Sequence, residues 1–331
     1  MSKIVKVLCV VIIALAMTAI TFGQSTVSGA IGGVVTNPNK EVVPGASVAV
    51  KNIETNKEDT ATADDQGRFR VPNLVPGIYS VSVSSSGFSS FTQSKVVVEV
   101  GRITELNAPL SVGPVSGTVE VTAEAPVINT NQPDFTTNVD QTSINELPIN
   151  GRRASNFALL APGVVSEGGF GLNSFRGVSG LLNNSTLDGG DNNNAFYSEE
   201  RGRTRISYVV SQAAVREFQL NTSNFSAEYG RAAGGVINTV TKSGTNDFHG
   251  GAFFYDRNNK WGASNPLTTR PIPGTTQVER FKPRDTRYQF GGTIGGRIIK
   301  DKLFFFFSYD EQRKNFPGAA TLSSQTYLAD I

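Results

Sequence analysis

The chain has 331 residues, with 30 Lys and Arg, 28 Asp and Glu, one His and one Cys. Charged residues make up 18% of it, which excludes a basic nucleic-acid binder, and 34 Gly and 15 Pro without a three-residue period exclude collagen. The lone His249 leaves little material for His-based catalysis or multi-His metal sites, and the lone Cys9 excludes an intrachain disulfide.

Residues 1–23 start basic at Lys3 and Lys6 and carry no acid. An apolar run from Val7 to Ile20 follows, then Thr21-Phe22-Gly23, with small residues at minus three and minus one. This pattern describes a secretory signal cleaved between Gly23 and Gln24. The apolar run is short for a membrane helix. Cys9 leaves with the signal, and so do two lysines, so the mature chain has 28 basic and 28 acidic residues and no Cys. Export without disulfides points to a bacterial envelope protein.

Residues 27–111 alternate apolar and polar residues in short runs: Ser47–Val50, Arg68–Val71, Tyr79–Val83 and Val96–Val100. Turn signals separate them at Asn37-Pro38, Pro44-Gly45, Asp64–Gly67, Pro76-Gly77 and Ser86-Gly87. Period-two runs spaced by turns predict a small antiparallel β-sandwich, with Phe69, Val71, Tyr79, Val81 and Val83 facing one core. No polar cluster converges there, so these residues read as packing rather than as a ligand site.

Residues 112–126 read as a linker that carries one extended patch, Thr118-Val119-Glu120-Val121-Thr122-Ala123. Such a patch serves equally as an exposed strand for β-augmentation or as the last strand of the sandwich or the first of the next domain. Residues 127–246 are rich in Asn, Gly and Ser and predict a mixed α/β domain. Ser143–Glu146 reads as a capping box stopped by Pro148, Asn156–Leu160 as a short helix stopped at Pro162, and Ser211 as the cap of a helix over Gln212–Glu217. Gly235–Thr241 reads as a strand.

In residues 247–331 the texture changes. Tyr288, Phe290, Gly292, Ile294, Gly296 and Ile298 alternate with Arg287, Gln289, Gly291, Thr293, Gly295 and Arg297. After a tight turn at Lys300-Asp301-Lys302, Leu303, Phe305, Phe307 and Tyr309 take one face, and Phe304, Phe306, Ser308 and Asp310 the other. Soluble strands average about five or six residues. Dyad alternation over ten or more residues, behind a signal, predicts transmembrane β-barrel strands with interfacial aromatics.

Two resemblances are specific. Asp64-Asp65 with Gly67 and Phe69, then Leu74 with Pro76-Gly77 and Tyr79, is similar to the carboxypeptidase regulatory-like domain, a prealbumin-like and carbohydrate-binding-like sandwich. The whole order of parts resembles the Oar-like branch of TonB-dependent outer-membrane receptors. Thr118–Ala123 before Glu124-Ala125-Pro126 is similar to the TonB box, and Leu147–Arg152 to the opening of the plug. Phe175-Arg176-Gly177 resembles the Arg-Gly of plug domains, and Leu187-Asp188-Gly189-Gly190 their Asp-Gly loop. Asn224–Arg231 with Gly234–Asn238 resembles the end of the plug.

The resemblance implies a mainly β chain with a signal peptide at 1–23, a sandwich at 27–111, a linker with the TonB-coupling strand at 112–126, a plug at 127–246 and the first barrel strands at 247–331. It implies an outer-membrane receptor with its N-terminal domain in the periplasm, energised by TonB, embedded in outer-membrane lipid, and carrying an unidentified ligand of carbohydrate or peptide class. The plug loops over 170–200 would face that ligand. Arg176 and Asp188 read as fold-holding, because a buried charge needs a partner. Neither a cofactor, a catalytic residue nor a metal site is expected: Asp188–Asn194 lacks the EF-hand spacing, Lys242-Ser243-Gly244 is no phosphate loop, and no nucleophile–base set occurs. The rival reading is a surface adhesion protein that uses the sandwich to hold carbohydrate. Family barrels close at about 22 strands. Residues after 247 have room for three or four at about ten residues each, so the chain is expected to be an N-terminal fragment or a truncated product.

Overall fold

The computed structural model describes residues 27–113, 118–121, 135–149, 152, 154–167, 172–193, 210–226, 228–264, 266–282 and 285–315. The chain is mainly β. Its first unit is a sandwich of β1 (Gly29–Thr36), β2 (Ser47–Asn52), β3 (Glu58–Thr62), β4 (Arg68–Leu74), β5 (Gly77–Ser84), β6 (Ser90–Val98), β7 (Ile103–Glu105), β8 (Ala108–Pro109) and β9 (Thr118–Val121). One sheet runs β4-β1-β7 with β8 also on β1; the other runs β3-β2-β5-β6-β9. Period two sets the core between them. Val48 and Val50, Phe69 and Val71, Tyr79, Val81 and Val83, and Phe91, Val96 and Val98 are all buried. The predicted turn chemistry is in place: the Asp64 carboxylate accepts from the N–H groups of Gln66 and Arg68. The Tyr79 hydroxyl donates to the Val75 carbonyl at 2.7 Å, which satisfies the polar tip of a buried ring.

The second unit holds β10 (Phe135–Val139), α1 (Gln141–Glu146), β11 (Val164–Glu167), β12 (Leu172–Phe175), β13 (Asn184–Leu187), β14 (Gly190–Asp191), β15 (Val215–Ser223) and β16 (Val236–Thr241). Its main sheet runs β10-β15-β16-β13-β14, and β11 and β12 form a separate hairpin. Phe157, Phe175 and Phe218 are its largest fully buried side chains, and Phe157 and Phe218 meet with ring centroids 5.6 Å apart.

Two helix expectations need correction. The cap of α1 is Asp140, whose carboxylate accepts the Ser143 N–H at 2.8 Å, so the helix starts a turn earlier than a Ser143 capping box requires. The short helix expected at Asn156–Leu160 is present as a 3-10 helix over Ala154–Leu160. Ser211 does cap a helical piece, but this is a 3-10 turn of only Gln212–Ala214. Glu217 lies in β15, because pairing of Val215 with Thr241 and of Glu217 with Val240 outweighs local helix propensity.

The third unit is a wall of β17 (His249–Asn258), β20 (Thr286–Ile299) and β21 (Leu303–Asn315), ordered β17-β20-β21. A small hairpin of β18 (Thr269–Pro271) and β19 (Val278–Arg280) lies in the long connection from β17 to β20. Register puts Ile294 opposite Phe307 and Gly292 opposite Tyr309. Ile294, Phe307 and Tyr309 are exposed on one face, whereas Gln289, of the other parity, is 3% exposed against the second unit. This apolar-out, polar-in division agrees with the alternation in the sequence.

Glycine in the Gly234-Gly235 motif is a packing requirement. A Cβ on Gly235 would lie 2.2 Å from the buried Phe175 ring, while one on Gly230 would meet nothing within 4 Å. Gly235→Ala is expected to lower the stability of the second unit by about 1–3 kcal/mol through overpacking. Gly230→Ala is expected to leave it nearly unchanged, and comparison of urea unfolding midpoints checks the pair.

Candidate functional site

Thr118, Val119, Glu120 and Val121 form β9 and pair in parallel with β6, Ser90 opposite Thr118 through Gln93 opposite Val121. Thr122 and Ala123, like the cleavage pair Gly23 and Gln24, lie outside the described residues. Of the two readings of this patch, the strand is seated on the sandwich. It forms the edge of the five-stranded sheet beyond β6.

The two dipeptides singled out in the second unit are turn-makers. Arg176 and Gly177 both have positive φ, at 52° and 81°. They close a two-residue turn in which Phe175 and Val178 exchange backbone hydrogen bonds of 3.2 and 3.0 Å. Asp188 and Gly189 likewise have φ of 48° and 78° and join Leu187 to Gly190 in the β13–β14 hairpin. Positive φ at both central positions is the type I′ arrangement that suits the twist of a hairpin. Asp188 does more. Its carboxylate accepts the Thr241 N–H and the Thr241 hydroxyl, each at 2.8 Å, which ties the turn to β16. Tyr229, from the segment before Gly234, donates its hydroxyl to Gln219 at 2.8 Å and accepts from Asn238 at 3.2 Å, joining that loop to β15 and β16. Asp188 and Tyr229 thus tie their segments to the main sheet, whereas Arg176 and Asp188 are both exposed, so the buried charge expected of them is not found.

Sequence reasoning missed the junction between the sandwich and the second unit. Glu217 on β15 is 6% exposed. Its carboxylate receives the Val100 N–H at 3.2 and 3.3 Å and the Asn138 amide at 2.7 Å. The same Asn138 nitrogen lies 3.2 Å from Glu99, so one amide bridges two carboxyl groups. Gln219 donates to the Val100 carbonyl at 2.8 Å, and Arg102, paired with Glu99, donates to the Thr136 carbonyl at 3.1 Å. Burial, then the nearby Glu99 charge, push the Glu217 carboxyl up to about 8, against the opposing pull of the Val100 N–H, Arg216 and Arg102.

A second attachment runs from the β2–β3 turn. Arg216 pairs with Glu54 at 3.2 Å, and the Asn246 N–H donates to the Glu54 carbonyl at 2.9 Å. Asn56 and Asn246 both donate to Asp301 in the β20–β21 turn, at 2.9 and 2.8 Å, and hold its carboxyl below the usual range. The sandwich therefore touches both other units. The second unit in turn contacts the polar face of the wall. Ser211 donates to Asp310 at 2.7 Å, and Arg152 donates to the Tyr255 hydroxyl at 2.7 Å while lying over the Phe253 and Tyr255 rings. Between residues 145–149 with Arg152 and the wall lies an open cleft of about 410 Å³, lined by Arg152, Arg257 and Arg287 together with Glu146 and Asp256.

The junction should depend on pH with a defined sign. The native Glu217 carboxyl holds its proton up to about 8, and the free group only to 4.5. Docking thus takes up a proton between those values, so its contribution is complete below 4.5 and lost as pH rises through about 8. Glu217→Gln keeps an acceptor without a titratable group and is expected to flatten that dependence, as read from the melting temperature against pH.

Comparison with known proteins gives matches at both ends of the chain. Residues 30–111 match the carboxypeptidase regulatory-like domain, and residues 240–328 match an outer membrane beta barrel domain. A curated relative, the TonB-dependent transporter Oar of Myxococcus xanthus, is 28% identical over 321 residues, covering 92% of this chain and 28% of the relative. Among solved structures, the siderophore receptor PirA from Acinetobacter baumannii is 21% identical with a TM-score of 0.39, over 54% of this chain and 24% of that one. The outer membrane transporter YddB from Escherichia coli is 15% identical with a TM-score of 0.44, over 55% and 26%. The chain thus spans about a quarter of the length of these relatives. It is a homologue of the TonB-dependent transporter Oar, is located in the outer membrane, and joins a carboxypeptidase regulatory-like domain to strands of an outer membrane beta barrel.

Proposed function

We propose that the protein is a plug-gated outer-membrane receptor and transporter energised through TonB. The observation that carries this reading is the contact between the second unit and the polar face of the wall, through Ser211–Asp310 and Arg152–Tyr255. A plug must fill a barrel lumen through polar contacts, because the opposite face of the wall belongs to lipid. On this reading 127–246 is the plug, 247–331 contributes barrel wall, and Thr118–Ala123 is the TonB-coupling strand.

Orientation follows from loop length. Outer-membrane barrels have short periplasmic turns and longer outer loops. The β20–β21 turn is short and bonds to Asn56 of the sandwich, while the β17–β20 connection is long enough to carry its own hairpin. The sandwich then lies in the periplasm, beneath the plug. The Asp188–Gly190 and Arg176–Gly177 turns shape the plug, and the 170–200 region supplies ligand-facing loops. TonB would engage the coupling strand by adding a strand of its own, with backbone hydrogen bonds giving affinity. A potential of 100 mV provides about 2.3 kcal/mol per charge moved, so a few protons suffice to displace a plug element. A surface-adhesion role is not favoured, since the curated relative is a transporter and the sandwich lies on the short-turn side of the wall.

Deleting residues 118–123 in the intact protein is expected to abolish energised transport, measured as ligand uptake or export, while outer-membrane abundance stays unchanged. Unimpaired transport by that deletion would sink the coupling role.

A further inference from the structure

We infer, independently of the TonB coupling proposed above, that the cleft between the second unit and the wall binds an oxyanion, the carboxylate or phosphate group of a soluble ligand.

Register sets Arg257 opposite Arg287 and Arg287 opposite Lys314, so three cations stand in one row across β17, β20 and β21. Residues two apart share a face of a strand, and Gln289, buried against the second unit, shows which face carries the row. Neighbouring strands lie about 4.8 Å apart, so the row gathers three positive charges within about 10 Å. Like charges directly opposite one another destabilise a sheet. Arg152 of the second unit reaches the adjacent row, where Tyr255 stands opposite Gln289, and brings a fourth cation to the same place.

The acids nearby leave these arginines uncompensated. Asp310 lies two rows further along the same face, opposite Gly291, and accepts hydrogen bonds from Ser211 and Gln289. Asp256 takes the other parity, opposite Tyr288, and Glu146 ends α1. Both line the cleft, yet among the described residues neither forms an ion pair with Arg152, Arg257 or Arg287.

The Nε atoms of Arg152 and Arg287 are buried without a hydrogen-bond partner among the described residues, and both arginines line this one cleft. Buried polar atoms are rarely left so. A guanidinium offers a planar fork of donors that fits two oxygens of a carboxylate or phosphate together. An oxyanion among the three arginines would offset their repulsion and give the two Nε–H groups an acceptor. About 410 Å³ holds a small solute or one acidic group of a larger ligand. A lipid headgroup fits less well as the source, because the row lies on the face turned to the second unit.

The intact protein, purified in detergent micelles, tests this by isothermal titration with inorganic phosphate and, separately, with citrate, in chloride buffer of fixed ionic strength. Saturable binding of at least one probe is expected; phosphate alone assigns a phosphoryl ligand, and citrate alone a carboxylate. Arg257→Gln and Arg287→Gln should each weaken that binding at least about ten-fold, and Lys300→Gln, at the other end of the wall, should leave it unchanged. Melting temperature separates a binding role from a structural one. Without a probe Arg287→Gln should melt no lower than wild type, because it removes a repulsion, and with the probe it should gain less than wild type. Saturation by neither probe, or equal binding by wild type and both arginine variants, overturns the proposal. So does a lower melting temperature for Arg287→Gln without a probe, which would mark the residue as fold-holding. None of these readouts involves transport, so the energised-receptor reading stands or falls separately.

Discussion

The carboxyl group of Glu217 decides how the sandwich sits on the rest of the chain. It is sealed between β15, β10 and the turn after β6, and it takes the Val100 N–H that no neighbouring strand satisfies. A buried acceptor of this kind is costly to leave unmade, whereas a charge in the same place would be worse. Nearby Glu99 raises the cost of ionisation further, and the Asn138 amide answers it by donating toward both carboxyl groups. Because Val100 follows directly on β6, the orientation of the sandwich sheet, and of anything seated on its edge, is inherited from this contact.

The remaining attachments make sense as a triangle. The β2–β3 turn reaches Arg216 and Asn246 through Glu54, and Asp301 at the wall turn through Asn56. Asn246 also receives the Asp301 N–H at 2.9 Å and gives its carbonyl to Arg297 at 3.0 Å, so one residue binds both the sandwich and the wall. The exposed ion pairs elsewhere contribute little by comparison, since solvent screens them. What joins the three units is a small set of side-chain bonds: amide–carboxylate at Glu217 and Asp301, an ion pair at Glu54, and hydroxyl and guanidinium contacts on the wall.

How much of this is legible in the sequence depends on how local the physics is. β2, β5 and the β20–β21 hairpin can be read because one face packs and the other does not, which writes a period of two into the residues themselves. The type I′ turns can be read from Asp188-Gly189, whose geometry is a two-residue matter. β17 is harder, since Gly250 and Gly251 followed by Phe253, Phe254 and Tyr255 break the alternation. The helix expected through Glu217 fails because β15 is held between β10 and β16, and Glu217 itself stands opposite Val240, beyond the reach of any local window. Glu217 itself carries no local mark: between Arg216 and Phe218 it resembles any solvated acid, and only folding brings Val100 and Asn138 to it. The seat of β9 on β6 is hidden for the same reason, because a free edge is a property of the sheet and not of the strand.

These arrangements place the ladders in mechanical series. β9 hangs on β6 by four residue pairs, and the next element among the described residues, β10, is the edge of the central sheet, with five. Force applied at β9 meets the shorter, parallel ladder first. Only after it parts does load travel through residues 122–134 to Phe135, at the open end of the β10–β15 pairing. There the chain can be peeled from Ser223 inward toward Asn138, whose amide sits on Glu217. The contact that orients the sandwich is thus also the point that peeling of β10 would meet at Asn138.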